Sequence, residues 1–253
     1  MNNGDGDWLL DLGNTRLKLA QVTASQARFI GAWALDGAAL PEETRRLLAA
    51  SAPGSRAWLG SSTDAGVRHV MAAAIAALGV EVRIVVTPAH CRRLRIAYVE
   101  PARLGVDRFL ALLAASERDD GPWLVTSVGS ALTVDLLAAD GLHLGGLIAL
   151  SPQVHRQALA ERIPHLEVSG GVACAFAADT ADALASGAQA SALGLIERSL
   201  DNAQTQLGRR PTLLLTGGGA DSLMPHLAPV VWLPTLVLDG LALYAQTFAS
   251  LPS

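Results

Sequence analysis

Five residues near the start of the chain could together handle a phosphate group: Asp11, Gly13, Asn14, Thr15 and Lys18. They put a carboxylate at the end of an apolar run, a glycine and two hydrogen-bonding side chains in a turn, and an ammonium group on the return. Glycine lets backbone approach an anion, turn N–H groups can point at phosphate oxygens, and the carboxylate can hold water or a hydrated magnesium ion. An ordinary hairpin with a polar tip is the alternative.

A second group of small residues lies in the other half of the chain. Gly129 and Ser130 follow one apolar run, and Gly217–Gly219 follow another. Glycines at the end of a strand can bring backbone amides to a phosphate or a sugar, and their missing side chains leave room for a base. This pattern is compatible with a nucleotide site, and equally with a flexible turn into the next element.

A third group begins an apolar stretch in the middle of the chain, where Asp107 and Arg108 are adjacent. A helix start with Asp in its first turn and a solvated Arg is one interpretation. The other is catalytic. Asp107 could accept the proton of a substrate hydroxyl that attacks the γ-phosphoryl group of a nucleotide, while Arg108 binds a substrate carboxylate.

These residues need elements that position them, and the apolar pattern predicts an α/β chain. Candidate helices begin near Pro, Asp or Thr, as helices commonly do. The predicted strands are 8–12, 17–22, 57–60, 82–86, 123–128, 133–137, 144–150 and 212–215, and the predicted helices are 41–50, 66–78, 107–118, 153–160, 180–206 and 238–249.

The two halves of the chain resemble one another. Residues 9–15 can be laid over residues 125–131 at a constant offset, and in each copy an apolar strand reaches a Gly and a small polar residue before it turns into another strand. The repeat predicts two related lobes, 1–119 and 120–253, with a cleft between them. A chance match in an alanine-rich chain is the alternative.

Composition and charge exclude several classes of protein. A length of 253 residues with 51% hydrophobic content suffices for a substantial core, and a net charge of -4 argues against nucleic acid or an anionic membrane as partner. The apolar stretch 70–86 is interrupted by Gly79, Glu81 and Arg83, which indicates a helix and a strand and not a membrane span. Residues 1–7 lack the basic and apolar regions of a signal peptide, and the two cysteines lie far apart, so we expect a cytoplasmic protein.

Taken together and in this order, the motifs resemble those of type III pantothenate kinases, the family that also includes the Bvg accessory factor. The resemblance covers nearly the whole chain, and the ordered set is more specific than any single motif. It is carried by Asp11-x-Gly13-Asn14-Thr15, Tyr98, Leu104-Gly105-Val106-Asp107-Arg108, Gly129-Ser130-Ala131-x-Thr133-x-Asp135, Gly145-Gly146, Thr180 and Thr216-Gly217-Gly218.

The resemblance implies a fold, an activity and a set of ligands. The fold would be two duplicated actin-like (ribonuclease H-like) lobes of the acetate and sugar kinase, heat-shock chaperone and actin superfamily. The activity would be phosphorylation of pantothenate to 4'-phosphopantothenate by ATP with Mg²⁺, the first step of coenzyme A biosynthesis, assisted by a monovalent cation (K⁺ or NH₄⁺). The protein would be a homodimer, with the long helix of the second lobe at the interface.

The resemblance also implies a role for each matched residue. Asp107 resembles the proton acceptor. The ATP-binding residues would be Asp11, Gly13, Asn14, Thr15, Lys18, Gly129, Ser130, Gly217 and Gly218, and the pantothenate-binding residues would be Tyr98, Gly105, Val106, Asp107, Arg108 and Thr180.

Two positions depart from the family pattern. Ser127 stands where family members usually have an aspartate associated with the monovalent cation, and a neutral hydroxyl anchors a cation less well than a carboxylate. Leu150-Ser151-Pro152 replaces the usual Pro-Gly after the Gly-Gly strand. No metal-binding residue is therefore assigned. A non-catalytic regulatory relative that binds a nucleotide or a metabolite is the alternative function, and another kinase or phosphatase of the same fold is a third.

Overall fold

The computed structural model describes residues 6–23, 26–119, 121–163, 166 and 169–249. The chain forms two compact units. The first comprises the chain up to Arg118, Asp140–Leu142 and the chain from Thr235, and the second comprises Asp119–Ala139 and His143–Pro234. The C-terminal helix, which the sequence-based boundary assigned to the second lobe, thus groups with the first unit. Asp120, at that boundary, lies outside the described residues.

Strands and helices alternate along both units, as an α/β chain requires. The strands are β1 (Trp8–Leu12), β2 (Arg16–Thr23), β3 (Gln26–Ala34), β4 (Arg56–Ser61), β5 (Glu81–Ile84), β6 (His90–Cys91), β7 (Leu94–Arg95), β8 (Trp123–Val128), β9 (Ala131–Leu137), β10 (His143–Leu150), β11 (Thr212–Thr216) and β12 (Val230–Trp232). The helices are α1 (Glu42–Ala49), α2 (Ala65–Ala76), α3 (Val106–Ser116), α4 (Pro152–Arg162), α5 (Thr180–Leu207) and α6 (Leu236–Phe248). Every strand and helix predicted from the sequence overlaps one of these, with ends that differ by at most two residues.

The two units have the same sheet topology. In the first the strand order is β3-β2-β1-β4-β5, and in the second it is β10-β9-β8-β11-β12. In each sheet the first strand in the chain pairs antiparallel with the second and parallel with the fourth. The duplication predicted from the sequence is therefore confirmed at the level of topology.

The central strands are buried on both faces, which explains their uninterrupted apolar sequences. All five residues of β1 are buried, and Leu9, Leu10 and Leu12 expose no surface. Asp11 is the charged residue of this strand. Because burial of a carboxylate is costly unless it is paired, its presence here calls for a partner.

The helix that carries Asp107 is also buried. All residues of α3 from Arg108 to Ser116 are buried, so the helix is enclosed by its neighbours and does not lie on the surface. It packs against α6, β4 and β7 within the first unit. The first turn of α3 thereby has a fixed place relative to the sheet.

Candidate active site

The turn between β1 and β2 is held by an ion pair. Asp11 and Lys18 are opposite one another in the antiparallel register, and Lys18 Nζ donates to Asp11 Oδ2 at 3.1 Å. The backbone N–H of Gly13 donates to the Arg16 carbonyl at 3.0 Å and closes the turn. Asn14 and Thr15, at the tip, are exposed. The turn thus presents the polar side chains of Asn14 and Thr15 next to a carboxylate, Asp11, whose charge Lys18 balances. This arrangement is suited to bind a phosphate accompanied by magnesium.

Asp107 lies in the first turn of α3, after Gly105 at the N-cap. Its side chain is half-buried. Burial raises the pKa of the Asp107 carboxyl above its usual value, and the charge of Asp11 raises it further, while the backbone N–H and the guanidinium of Arg108 lower it. The structure therefore brings Asp11 and Asp107, from separate motifs, into one electrostatic environment. A carboxylate with a raised pKa suits general-base catalysis.

Arg108 follows Asp107 and contacts Tyr98. Its Nη1 donates to the Tyr98 hydroxyl at 3.2 Å, and its guanidinium carbon lies 6.0 Å from the centroid of the Tyr98 ring. Only 6% of Arg108 is exposed. The phenol orients the guanidinium, which presents planar donors of the kind that bind a carboxylate. Gly105 and Val106, at the start of α3, are half-buried beside this pair.

In the second unit the ends of β8 and β11 are adjacent. Thr216 pairs with Ser127 in the parallel register, and Gly219 N–H donates to the Val128 carbonyl at 2.9 Å. Gly217 has φ +95°, and a Cβ there would lie 2.7 Å from the Val128 backbone nitrogen. Gly217 is thus required by its positive φ and by close packing, as the turn into the next element requires. The exposed residues on this edge are Gly129, Ser130, Gly218 and Gly219.

Ser127 lies between two threonines in the second sheet. Its register partners are Thr133 on β9 and Thr216 on β11, and both are buried. In the duplicated topology Asp11 has the same position, with Lys18 as its antiparallel partner. The first unit therefore has an ion pair where the second has neutral hydroxyl groups.

Thr180 is the first residue of α5 and is exposed. Asp179 caps the helix, since its Oδ1 accepts from the N–H groups of Ala181 at 2.9 Å and Asp182 at 3.2 Å. The cap fixes the backbone at Thr180, which is exposed at the helix start. Thr180 belongs to the second unit, and Tyr98 and Asp107 belong to the first.

Sequence analysis missed polar residues at the end of β4. Ser61 is buried opposite Leu12, its hydroxyl lies 2.9 Å from the Thr63 hydroxyl, and Ser62 N–H donates to the Leu12 carbonyl at 3.1 Å. The signal was a polar run, 61–64, directly after a buried strand.

Within the part of the chain that the structure describes, no three His, Cys, Asp or Glu side chains are grouped as a metal site would require. None of the described helices is long and apolar enough to cross a membrane.

Comparison with known proteins places these features in a family. The family model for type III pantothenate kinase matches residues 8–202. The type III pantothenate kinase of Xanthomonas oryzae pv. oryzae (strain PXO99A) is 47% identical over 244 residues, which cover 96% of this chain and 99% of the relative.

Solved structures with the same fold share much less sequence. A Sinorhizobium meliloti protein described as a 2-dehydro-3-deoxygalactonokinase aligns with a TM-score of 0.60 at 16% identity, covering 98% of this chain and all of the other. A Campylobacter jejuni protein described as a Baf family transcriptional activator aligns with a TM-score of 0.59 at 18% identity, covering 96% and 100%. The predicted fold class, α/β with two duplicated actin-like lobes, is confirmed. The chain belongs to the type III pantothenate kinase family.

Proposed function

We propose that this protein transfers the γ-phosphoryl group of ATP to the primary hydroxyl of pantothenate, giving ADP and 4'-phosphopantothenate, the first step of coenzyme A biosynthesis. Family membership supports the reaction. The observation that carries the assignment of the chemistry is the position of Asp107, half-buried, with its pKa raised by burial and by Asp11. This carboxylate accepts the hydroxyl proton as the oxygen attacks phosphorus and the bond to ADP breaks.

The remaining candidate residues bind and orient the two substrates. ATP enters with its magnesium ion, which neutralises charge on the phosphates when bound. Lys18 supplies positive charge beside Asp11, and Arg108, oriented by Tyr98, binds the pantothenate carboxylate. We assign ATP binding to Asp11, Gly13, Asn14, Thr15, Lys18, Gly129, Ser130, Gly217 and Gly218, and pantothenate binding to Tyr98, Gly105, Val106, Asp107, Arg108 and Thr180.

A monovalent cation has a weaker role in this proposal than the family resemblance implies. Ser127 and its neighbours Thr133 and Thr216 offer hydroxyl oxygens without a formal charge. Hydroxyl groups alone attract K⁺ or NH₄⁺ less than a carboxylate does. The reaction is therefore expected to respond little to either ion.

The proposal also covers assembly and location. A homodimer follows from the resemblance, with the long helix α5 at its interface, and sedimentation of the purified protein measures the mass directly.

A cytoplasmic location is supported by Cys91 and Cys174, which both carry free thiols. Burial raises the pKa of the Cys91 thiol to about 11, so this thiol stays protonated and unreactive at neutral pH.

The experiment that tests the proposed function measures ADP release with ATP, magnesium and pantothenate, with and without K⁺ or NH₄⁺. Turnover that requires pantothenate and is lost in Asp107→Asn supports it. Ser127 motivates the alternative of a non-catalytic regulatory relative. A folded protein that binds ATP but releases no ADP under any of these salts would favour that alternative and overturn the kinase assignment.

A further inference from the structure

Two glycines contact α3 on different sides at the same residue, Leu110. One is Gly60 on β4, and the other is Gly240 on α6. Leu110 lies three residues after Asp107, so it is on the next turn of the helix that carries the proposed base. The position of the α3 backbone at Leu110 therefore determines where Asp107 lies.

On the sheet side, Gly60 is the direct register partner of Asp11. A Cβ at Gly60 would lie 3.0 Å from Leu110 Cδ1 and 3.6 Å from Val106 Cγ1. The first distance is shorter than an ordinary contact between carbon atoms. The missing side chain thus lets α3 pack closely on the strand next to Asp11.

On the helix side, the approach is closer still. A Cβ at Gly240 would lie 2.6 Å from the carbonyl carbon of Leu110 and 3.0 Å from its Cα, and nearer yet to its carbonyl oxygen. These are backbone atoms, which cannot move aside as a side chain can. Any residue larger than glycine at position 240 must push α3 and α6 apart.

Glycine in the interior of a helix destabilises it relative to alanine, so its presence needs a reason. The chain supplies its own comparison in α5. At Gly187 and Gly194 an added Cβ would meet no described atom within 4 Å outside the local helix backbone. At Gly240 the reason is close packing on α3.

We propose that Gly60 and Gly240 are positioning residues for phosphoryl transfer, because their missing side chains let β4 and α6 hold α3 at the depth that brings Asp107 next to Asp11. The proposal rests on the proposed role of Asp107 as the base. In this proposal the C-terminal helix, α6, affects phosphoryl transfer by positioning α3 and not by contacting a substrate.

The first test is Gly240→Ala, with Gly187→Ala as the matched control at an exposed helix glycine, provided that sedimentation shows Gly187→Ala to have the same mass as the original protein, because α5 is the proposed dimer interface. A misplacement of about 1 Å can cost about 100-fold in rate, so we expect kcat to fall roughly 10- to 100-fold in Gly240→Ala, with a smaller change in KM. Gly187→Ala should keep kcat within about twofold of the unsubstituted protein.

The pH profile separates positioning from general damage. In Gly60→Ala the new methyl group moves α3 away from β4 and Asp11 and towards water, which weakens both causes that raise the Asp107 pKa, so the acid limb of kcat/KM should shift to lower pH. Charged groups near this contact include Lys18 on β2, Arg108 on α3, Asp239 on α6 and Arg118, which acts on Asp239. If Asp239→Asn leaves the acid limb of the kcat/KM profile at the same pH, Asp239 is not the group whose titration produces that limb.

A second variant decides the matter if Gly240→Ala fails to fold. In Gly60→Ala the new methyl group meets a side-chain carbon, Leu110 Cδ1, which valine lacks. We expect Gly60→Ala to lower kcat and to shift the acid limb to lower pH, and Gly60→Ala with Leu110→Val to recover both. Leu110→Val alone is the control for lost packing.

The outcomes distinguish this inference from the proposed function. If Asp107→Asn retains full activity, the assignment of the base fails, whatever the glycine variants do. If Asp107→Asn is inactive while folded Gly240→Ala or Gly60→Ala keeps both the kcat and the acid limb of the original protein, the positioning role is overturned.

Discussion

At the scale of single residues, Asp107 has opposing effects on stability and on activity. Its folded-state pKa is raised by burial and by Asp11. A carboxyl group whose pKa is higher in the folded than in the unfolded state favours folding below its unfolded pKa. That contribution is lost as pH rises through the folded pKa, because the folded protein must then hold a disfavoured charge. At neutral pH the base therefore destabilises the fold that contains it.

Asp107→Asn should consequently lose activity and gain stability. We expect turnover to fall by about 100-fold or more, as for loss of a general base, and the free energy of unfolding at pH 7 to rise above that of the unsubstituted protein. The gain should shrink as pH falls towards about 4, the usual range of an aspartate pKa. ADP release and urea unfolding at several pH values measure the two effects. An asparagine variant that is less stable than the original at pH 7 would contradict this account.

Ser127 gives a second prediction at this scale. Ser127→Asp places a carboxylate between Thr133 and Thr216 and provides the charge that a monovalent cation needs. We expect ADP release by this variant to rise with added K⁺ more steeply than ADP release by the original protein. Ser127→Ala, which removes the hydroxyl without adding charge, is the control. Identical K⁺ titrations for all three proteins would refute the reading of this position.

Residue types and spacing predicted much of the site. The pair Asp11 and Lys18 could be predicted because two residues on opposite sides of a tight turn face one another in an antiparallel hairpin. The proximity of Asp107 to Asp11 could not be predicted from spacing, since it depends on how α3 packs against β4. The resemblance to the family, and not the physics of the sequence, placed these residues in one site.

At the scale of elements, the loop after β11 is specified by backbone contact. Gly217 has a positive φ and lies against the backbone of Val128, whereas at Gly218 an added Cβ would meet no described atom within 4 Å. The two glycines are adjacent in sequence, yet they have different structural requirements.

Gly217→Ala should therefore destabilise the protein, and Gly218→Ala should not. A residue forced into this backbone conformation costs about 1–3 kcal/mol, and we expect a loss of that size in the free energy of unfolding together with weaker ATP binding. Gly218→Ala should stay within about 0.5 kcal/mol of the original protein. Urea unfolding and an ATP titration measure both quantities. Equal losses in the two variants would show that backbone contact does not distinguish these positions.

Elements that the sequence did not predict are those with weak patterns. The sequence does not predict the bounds of β3. This edge strand contains Gly31, and its buried and exposed positions do not alternate cleanly. β12 has only three residues, and β6 and β7 have two each, so no periodicity can develop. Such short elements are specified by tertiary contacts.

At the scale of the whole molecule, the duplication has diverged at the ends of its central strands. Both sheets have the same order, but β1 ends in an ion pair and β8 ends among hydroxyl groups. One topology thus presents a charged edge in the first unit and a neutral edge in the second. The sequence repeat indicated the common topology, and the differing side chains account for the separate roles that we propose.

The sequence alone does not predict which of the two units contains the C-terminal helix, α6. α6 is apolar on several faces, including Leu236, Leu238 and Leu241, so its sequence does not indicate which unit it joins. In the structure Tyr244 packs edge-on against Trp58 and Phe109, each with ring centroids 5.9 Å away. The last helix of the chain therefore completes the core that begins with its first strand.

Removal of this helix should thus affect the first unit. In a chain that ends at Pro234, α3 loses its contact with Gly240, and the aromatic faces of Trp58 and Phe109 lose Tyr244. We expect this truncation to abolish the cooperative unfolding of the first unit and all ADP release. Tyr244→Ala, which leaves the helix in place, should cost about 3–5 kcal/mol, as for other large aromatic truncations. Near-UV circular dichroism and urea unfolding compare the three proteins. Because Trp58 is buried in the first unit, a truncated chain that kept the full tryptophan signal and the original unfolding midpoint would show that α6 is dispensable for that core.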